Sequence, residues 1–511
     1  MHSHAVPPAL ELPCIVSRRS PAGRSSYLHQ VIFFFLVAFV VLLPHLSKAA
    51  GLAFLIAFFL WLVRLGIERK GMLQQPLVLP LLAYVALSGI STALSPDPHA
   101  SWSHMKLVCY TALVVTLFAQ NLTKLSQVKI LMAGLLLSAT AAAALTAWQY
   151  TYGIGVRVTA IAPQTELYHA GIRAQDVIVR INGHSVHTPE QLVEALNYAS
   201  PASPMRINWL RGEPTRRRSV VLPPTPGGRA TQGLQLERAK PVRAQGLLGH
   251  YIILGEVLMP IGCLAWALML VYLPQRRRAA AMFAIIFVAI TATIFAAETR
   301  AALAGLLTGC VVAALLLVRR WSRLRMVAVL ILLGAVATLW IHHTRGVGWI
   351  ASSDPGTQYR WLMWQDGIRL AIAHPLAGVG MDTIQTHWQQ WHIRAFQLYH
   401  DYWNFHSDFV QIAAERGFLT LTAWLWFVGA YLVYLFRLQQ RTRYEARFTR
   451  AVVVGIFSGF VAFLVPSLVI STLTDASLEM LIFFCCGTAM AIDRMLPPPP
   501  RPFGVMKISA R

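Results

Sequence analysis

The sequence predicts a mainly α-helical, polytopic membrane bundle of about twelve spans, interrupted by one small α/β-type insertion. Three observations carry this reading. Of 511 residues, 56% are hydrophobic and only 13% charged, with a mean hydropathy of +0.54; a soluble domain carries roughly 25% charged residues. Apolar runs of roughly 18 to 22 residues recur, each long enough to cross a bilayer as a helix. The basic residues behind the net charge of +23 fall in short clusters between those runs. They form no continuous surface, which argues for membrane topology and against nucleic-acid binding.

Taken in order, spans are expected near 29–47, 50–64, 75–95, 104–121 and 128–149, then near 249–273, 280–298, 300–318, 326–342 and 418–436, and finally near 451–472 and 477–494. An even count puts both termini on one side. Basic clusters at 64–70, 124–129, 276–278, 319–325 and 437–450 then share the cytoplasmic side with the two tails. The opposite side receives 95–101, 151–245, the turn at 298–300, the polar stretch 342–417 and the turn 472–476. Arg18, Arg19 and Arg24 precede the first apolar run, an expected uncleaved anchor. The six cysteines (Cys14, Cys109, Cys263, Cys310, Cys485, Cys486) show no CxxC spacing, so neither a disulfide framework nor a zinc site is indicated.

Residues 151–245 differ in kind. GVRVTAI (155–161) and DVIVRI (176–181) alternate as half-buried strands. Asn182-Gly183 is a tight-turn signal. Thr188-Pro189-Glu190-Gln191 is a capping box with proline at the first helical position, and it opens a helix. MRINWLRG and RRRSVVLP complete a hairpin. The order resembles a PDZ domain of the bacterial protease type, with HAGIRAQDVIVRINGHSV where that family has AGL-x-x-GD-x-I-x-x-x-NG; Gln175 replaces its glycine. The resemblance implies an added-strand site for a peptide or protein ligand, with Gly233-Leu234 as the candidate carboxylate loop in a circularly permuted domain. A folded spacer with an empty groove is the other reading.

The stretch 342–417 cannot be membrane helix. It holds Arg360, HPLAGVG (374–380), six tryptophans and HSDFVQIAAERG (406–417). RWLMWQDGIRLAIA is an amphipathic segment expected to lie at the interface and to end before Pro375. Gly378 and Gly380 permit a tight turn close to a bound head group but lack the strand and helix context of a nucleotide loop. Trp349, Trp388, Trp391 and Trp403 are expected as interfacial packing and, second, as sugar-stacking surfaces. Intramembrane proteolysis is disfavoured. HExxH is absent, the serines at Leu87-Ser88-Gly89 and Phe457-Ser458-Gly459 lack the leading glycine of G-x-S-G, and Gly378 to Asp382 is one residue too long for GxGD. A glycan or lipid transporter is the non-enzymatic alternative, although its charged or broken-helix features are expected at mid-membrane.

Arg360 and Trp364, then HPLAGVGMDT, then HSDFVQIAAERG leading into a span, resemble the O-antigen ligase family, which includes polysaccharide polymerases and protein O-oligosaccharyltransferases; Glu298-Thr299-Arg300 resembles that family's arginine at a short periplasmic turn. The resemblance implies a GT-C-like enzyme of the bacterial inner membrane with its site facing the periplasm. It would pass a glycan from undecaprenyl diphosphate to an acceptor hydroxyl, lipid A–core first among the acceptors, by an inverting, metal-independent reaction with no cofactor. Arg300 and Arg360 would stabilise the leaving diphosphate, as a planar, always charged fork can. His406 would be the general base, chosen by its family position over His342, His343, His374, His387, His392 and His400. Asn404 or Ser407 would cap a short helix there, and Tyr399, Asp401, Asp408 or Glu415 would orient the ring. His374, Gly378, Gly380, Trp364, Gln411 and Glu415 are the expected substrate-binding residues. Asp408, Gln411 and Glu415 share a helical face, which a solvated surface explains equally well. The expected units are 1–150 and 246–342 (membrane), 151–245 (PDZ-like), 343–417 (catalytic loop), 418–495 (membrane) and 496–511 (tail).

Overall fold

The computed structural model describes residues 21–68, 76–198, 204–211, 216–223, 233–240, 243–318, parts of 324–339, 355–399 and 404–497. Among them, nine helices are long and apolar enough to cross a membrane, and two shorter apolar helices cover Ser26–Leu42 and Val78–Ala93. The chain is a multi-pass membrane protein. Eleven of the twelve expected spans coincide with these eleven helices; the remaining one, 326–342, lies partly outside the described residues. Large apolar side chains such as Leu79, Ile285, Val288 and Phe59 point outward, as a lipid-facing surface requires.

The core of the bundle is built by close approach. A Cβ at Gly305 would come within 2.3 Å of Met259 Sδ and 2.6 Å of the Ala462 carbonyl oxygen, and one at Gly309 within 2.4 Å of Cys263 Sγ. Helix Arg300–Leu317 therefore beds directly on Tyr251–Tyr272 and Arg447–Leu464, the small-residue packing that membrane helices use where hydrophobic burial offers no drive. Pro260 sits inside Tyr251–Tyr272 and packs on Gly459.

The insertion follows helix Leu125–Tyr152 at Gly153. Its strands are β1 (Gly155–Ile161), β2 (Val177–Ile181), β3 (His184–Ser185), β4 (Met205–Arg211), β5 (Arg216–Leu222) and β6 (Leu234–Ala239). The sheet runs β5-β4-β2-β1-β6, with β3 on β2, and every pairing is antiparallel. One face buries Val156, Ile178, Ile181, Ile207 and Trp209 with Leu192 and Leu196 of helix Pro189–Tyr198. The capping box forms as the sequence predicts: Gln191 Oε1 accepts from the backbone N–H of His187 and Thr188, and Gln191 N–H donates to Thr188 Oγ1. Asn182 (φ +48°) and Gly183 (φ +86°) make the tight turn. Gly233-Leu234 stands at the start of the edge strand β6. The sheet is fastened close to the membrane helices, Ile154 N–H donating to the Ala239 carbonyl (2.8 Å) and the His187 ring meeting Trp148 edge-on at 5.4 Å.

The polar stretch 342–417 is largely helical where described. A loop helix, Pro355–Ala373, ends just before Pro375. The short helices Thr383–Thr386 and Arg394–Tyr399 follow. The site helix, Asp408–Arg441, then starts ten residues before the expected span and is broken in backbone conformation at Gly417 (φ +80°).

Candidate active site

The site is assembled around that break. A residue in the left-handed region interrupts the helical ladder, and the freed carbonyls need other donors at the membrane edge. The HPLAGVG run donates to two of these carbonyls and accepts from a freed N–H. Val379 N–H donates to the Ala414 carbonyl (3.0 Å), Gly380 N–H to the Glu415 carbonyl (2.9 Å), and Phe418 N–H to the Pro375 carbonyl (2.8 Å). Ser91 of helix Val78–Ala93 adds its hydroxyl to the carbonyls of Ala377 (2.7 Å) and Glu415 (3.1 Å). Gly378 has φ +68°, and a Cβ there would lie 2.2 Å from the Glu415 carbonyl carbon. Gly380 has φ +91°, and its Cβ would lie 2.1 Å from Ser95 Oγ. The space beside these two glycines is filled by the protein's own chain, so their part is to close this knot.

His406 stands at the entry to the site helix with φ +50°. Its N–H donates to Asn404 Oδ1 (2.9 Å), a local turn where the sequence suggested a helix cap, and Ser407, at the N-cap, makes no side-chain cap bond. The Trp364 indole N–H donates to the His406 carbonyl (3.0 Å), and Tyr359 meets the imidazole edge-on with ring centres 5.6 Å apart. Trp364 thus holds the histidine's backbone. Nδ1 is buried and, among the described residues, has no hydrogen-bond partner. Burial first, and the nearby Arg360 charge second, push the imidazole down to about 3. The ring is neutral at physiological pH.

The start of the site helix is pinned by the turn at 466–475. Ser407 N–H donates to Ser471 Oγ (3.2 Å). The Asp408 carboxylate accepts from the Thr472 hydroxyl and from Leu473 N–H (3.0 Å). Gln411 Oε1 accepts from Phe405 N–H (2.7 Å) and the Ser471 hydroxyl (3.4 Å), and Glu415 Oε1 from Asp382 N–H (3.2 Å). Asp408, Gln411 and Glu415 are 2%, 4% and 1% exposed, so the face they share is buried and not solvated. Arg300 begins helix Arg300–Leu317 after Thr299, whose hydroxyl donates to the Tyr251 carbonyl. Gly305 of that helix approaches Pro466, so Arg300 stands at the bundle end where the 466–475 turn also grips Asp408 and Gln411. His374 is exposed and lies edge-on to Trp391 at 5.4 Å. Buried Asp366 fixes the loop helix by accepting from Arg394 N–H and Nε (both 2.8 Å). His342, His343, Trp349, His400, Asp401 and Trp403 lie outside the described residues.

Two parts of the chain match known families. Residues 285–425 match the family model described as O-antigen ligase. Residues 157–211 match that of the PDZ domain. The chain therefore joins an O-antigen ligase domain to an inserted PDZ domain. A 94-residue stretch is also 33% identical to the magnetosome formation protease MamE of Magnetospirillum gryphiswaldense, covering 18% of this chain and 12% of that protein. The chain matches only that small part of the relative's length.

The O-antigen ligase match contains Arg300, Arg360, His406 and Arg416; Arg416, and Asp475 and Glu256 outside the match, are charged groups that sequence reasoning missed. Arg416 is 2% exposed; its Nη1 donates to the Tyr84 hydroxyl (2.5 Å), and the charges of Glu415 and Glu479 act on it. Asp475 caps helix Ala476–Met495 by accepting from the N–H groups of Ser477 and Leu478, and burial raises its carboxyl to about 6. Glu256 is buried within electrostatic reach of Asp408 and Asp475. A charged residue inside or beside an apolar span was the available signal, since such groups are costly in a membrane and face the bundle interior. Among the described residues no three His, Cys, Asp or Glu side chains are grouped so as to hold a metal ion.

Proposed function

We propose that the protein is a glycosyltransferase of the O-antigen ligase type, which passes a glycan from undecaprenyl diphosphate to a hydroxyl of lipid A–core on the periplasmic face of the inner membrane. The observation that carries this reading is His406. Within an O-antigen ligase domain it presents a neutral imidazole with an unpartnered Nδ1 under the influence of the Arg360 charge. In the reaction, the acceptor O–H gives its proton to His406 as its oxygen bonds to the anomeric carbon. The bond from that carbon to the diphosphate oxygen breaks, its electron pair leaves with undecaprenyl diphosphate, and the anomeric configuration inverts. Arg360 and Arg300 bind the diphosphate oxygens and offset the developing charge, the role for which the guanidinium fork is suited. A bound diphosphate also offsets the cationic field on His406, which raises the imidazole toward the range of a competent base only when donor is in place.

The supporting geometry is that of a held site. Gln411 and Trp364 fix the backbone on either side of His406, and Asp408 locks the helix behind it. The test is transfer in vesicles carrying a lipid-linked glycan and an acceptor. His406→Ala and Arg300→Ala should each abolish product while inserting normally, and activity should persist in a chelator. Full activity in either variant, or movement of glycan across the membrane without a covalent product, overturns the reading. Labelling of Ser185→Cys by an impermeant reagent from the periplasm tests the orientation.

A further inference from the structure

The insertion presents a second, unrelated feature on the sheet face turned away from its core. β2 and β4 there enclose a groove of about 450 Å³ lined by Val179, Arg180, Asn182, Gly183, Arg206 and Asn208. Arg180 is the cross-strand partner of Asn208, and Arg206 lies two residues along β4 from Asn208 on the same face. The two guanidinium groups are therefore diagonal neighbours, with backbones about 7–8 Å apart. Among the described residues neither side chain has a carboxylate partner: Asp176 is engaged by Arg211, and Glu237 by Arg157. Asn182 spends its Oδ1 on Arg206 N–H (2.7 Å), which fixes the carboxamide at the groove's edge.

Two like charges held side by side without an acid repel each other, and an oxyanion bridging them removes that repulsion while engaging both planar forks. The size of the groove says more. A bare phosphate occupies only a few water volumes of about 30 Å³ each and would leave most of the space empty. We propose that this face binds a phosphorylated sugar, Arg180 and Arg206 gripping the phosphate and the amides of Asn182 and Asn208 meeting ring hydroxyls. The site lies on β2 and β4, away from the edge strand β6, and requires no catalysis, so it stands apart from the transfer reaction proposed above.

The test is calorimetric titration of the full chain in neutral nanodiscs with glucose 1-phosphate, inorganic phosphate and glucose. Glucose 1-phosphate should bind, inorganic phosphate more weakly, and glucose not at all. Arg180→Gln and Arg206→Gln should each weaken glucose 1-phosphate binding roughly tenfold, the loss of one charge-assisted contact. Asn208→Asp, which places a carboxylate between the arginines, should weaken it at least as much, and Arg157→Gln should leave it unchanged. All are exposed or half-buried positions, and unchanged melting curves will confirm folding. Undiminished binding in the Arg180→Gln, Arg206→Gln double variant overturns the site. Inorganic phosphate binding as tightly as the sugar phosphate overturns the sugar assignment, as does abolition of binding by phosphatidylglycerol in the disc, which would make the face a lipid contact. Since the readout is binding alone, its failure leaves the transfer reaction untouched.

Discussion

Gly378→Ala is the sharpest test of how the site is held together. The added Cβ would lie 2.2 Å from the Glu415 carbonyl carbon, 2.4 Å from its oxygen and 2.4 Å from the Arg416 nitrogen. All three are backbone atoms, so no side-chain rotation relieves the contact. The residue also sits at φ +68°, where an L side chain costs about 1–2 kcal/mol. Forcing a methyl group into a closed site adds roughly 1–3 kcal/mol, and part of the cost will be taken by breaking the Val379–Ala414 and Gly380–Glu415 pairs. We expect a total of about 2–5 kcal/mol, a fall in melting temperature on the order of 5 °C or more, and transfer activity reduced by roughly a hundredfold because the site is misplaced rather than altered. The assay pairs tryptophan-fluorescence melting in detergent with transfer in vesicles. Gly429→Ala is the control, since its Cβ would meet nothing within 4 Å in the same helix. A Gly378→Ala protein that melts and transfers like Gly429→Ala refutes the knot.

Three further outcomes follow from the same contacts. His406 is held down to about 3, so kcat/KM should stay flat down to a pH of about 5; in Arg360→Gln the depressing charge is gone and the acid limb should move up, an unmoved limb counting against the pairing. The sign for stability agrees: the folded value lies below the unfolded value of about 6.5, so the unfolded chain binds more protons between the two, and the stability His406 contributes above that window is lost as pH falls through it. Gln411→Leu strands the Phe405 N–H and the Ser471 hydroxyl; we expect kcat to fall roughly tenfold to a hundredfold with KM little changed, and a raised KM at constant kcat would make Gln411 a substrate contact instead. Gln175 occupies φ +73° where the PDZ pattern has glycine, so Gln175→Gly should stabilise the insertion by about 1 kcal/mol, read as a higher melting transition, and a lower one refutes the strain.

Much of this was legible in the sequence wherever the signal is local. Apolar runs located the membrane helices, and alternation, Asn182-Gly183 and the Thr188–Gln191 box placed the insertion's strands, turn and helix. Gly417 marked a real discontinuity, and the short helix expected after Ser407 does begin at Asp408, but its continuation past Gly417 into the span was not legible because HSDFVQIAAERG is polar enough to read as part of the loop. What stayed hidden depends on partners far along the chain. Arg416 reads as a membrane-edge anchor until Tyr84 is seen beside it, and Gln411 reads as a substrate-binding side chain until the 466–475 turn arrives. Gly378 and Gly380 looked like room for a head group because a glycine announces that something comes close without saying what.

The knot also explains how a loop with so many polar groups can hold the proposed catalytic geometry at a membrane edge. Arg360 and Trp364 lie on a helix that stops at Ala373, and His406 lies just ahead of one that starts at Asp408. Between them are the short helices 383–386 and 394–399, whose register alone could not fix an arginine against an imidazole. Pairing 375–380 with 414–418 clamps the end of the first helix to the first turns of the second, and the Asp366–Arg394 contacts brace the intervening chain. Those pairs exist because the break at Gly417 leaves carbonyls that cannot remain unsatisfied beside lipid. The requirement to satisfy backbone at the membrane boundary and the requirement to place Arg360 and Trp364 at His406 are met by the same hydrogen bonds, so damage at the knot should reach the proposed chemistry without touching a reacting group.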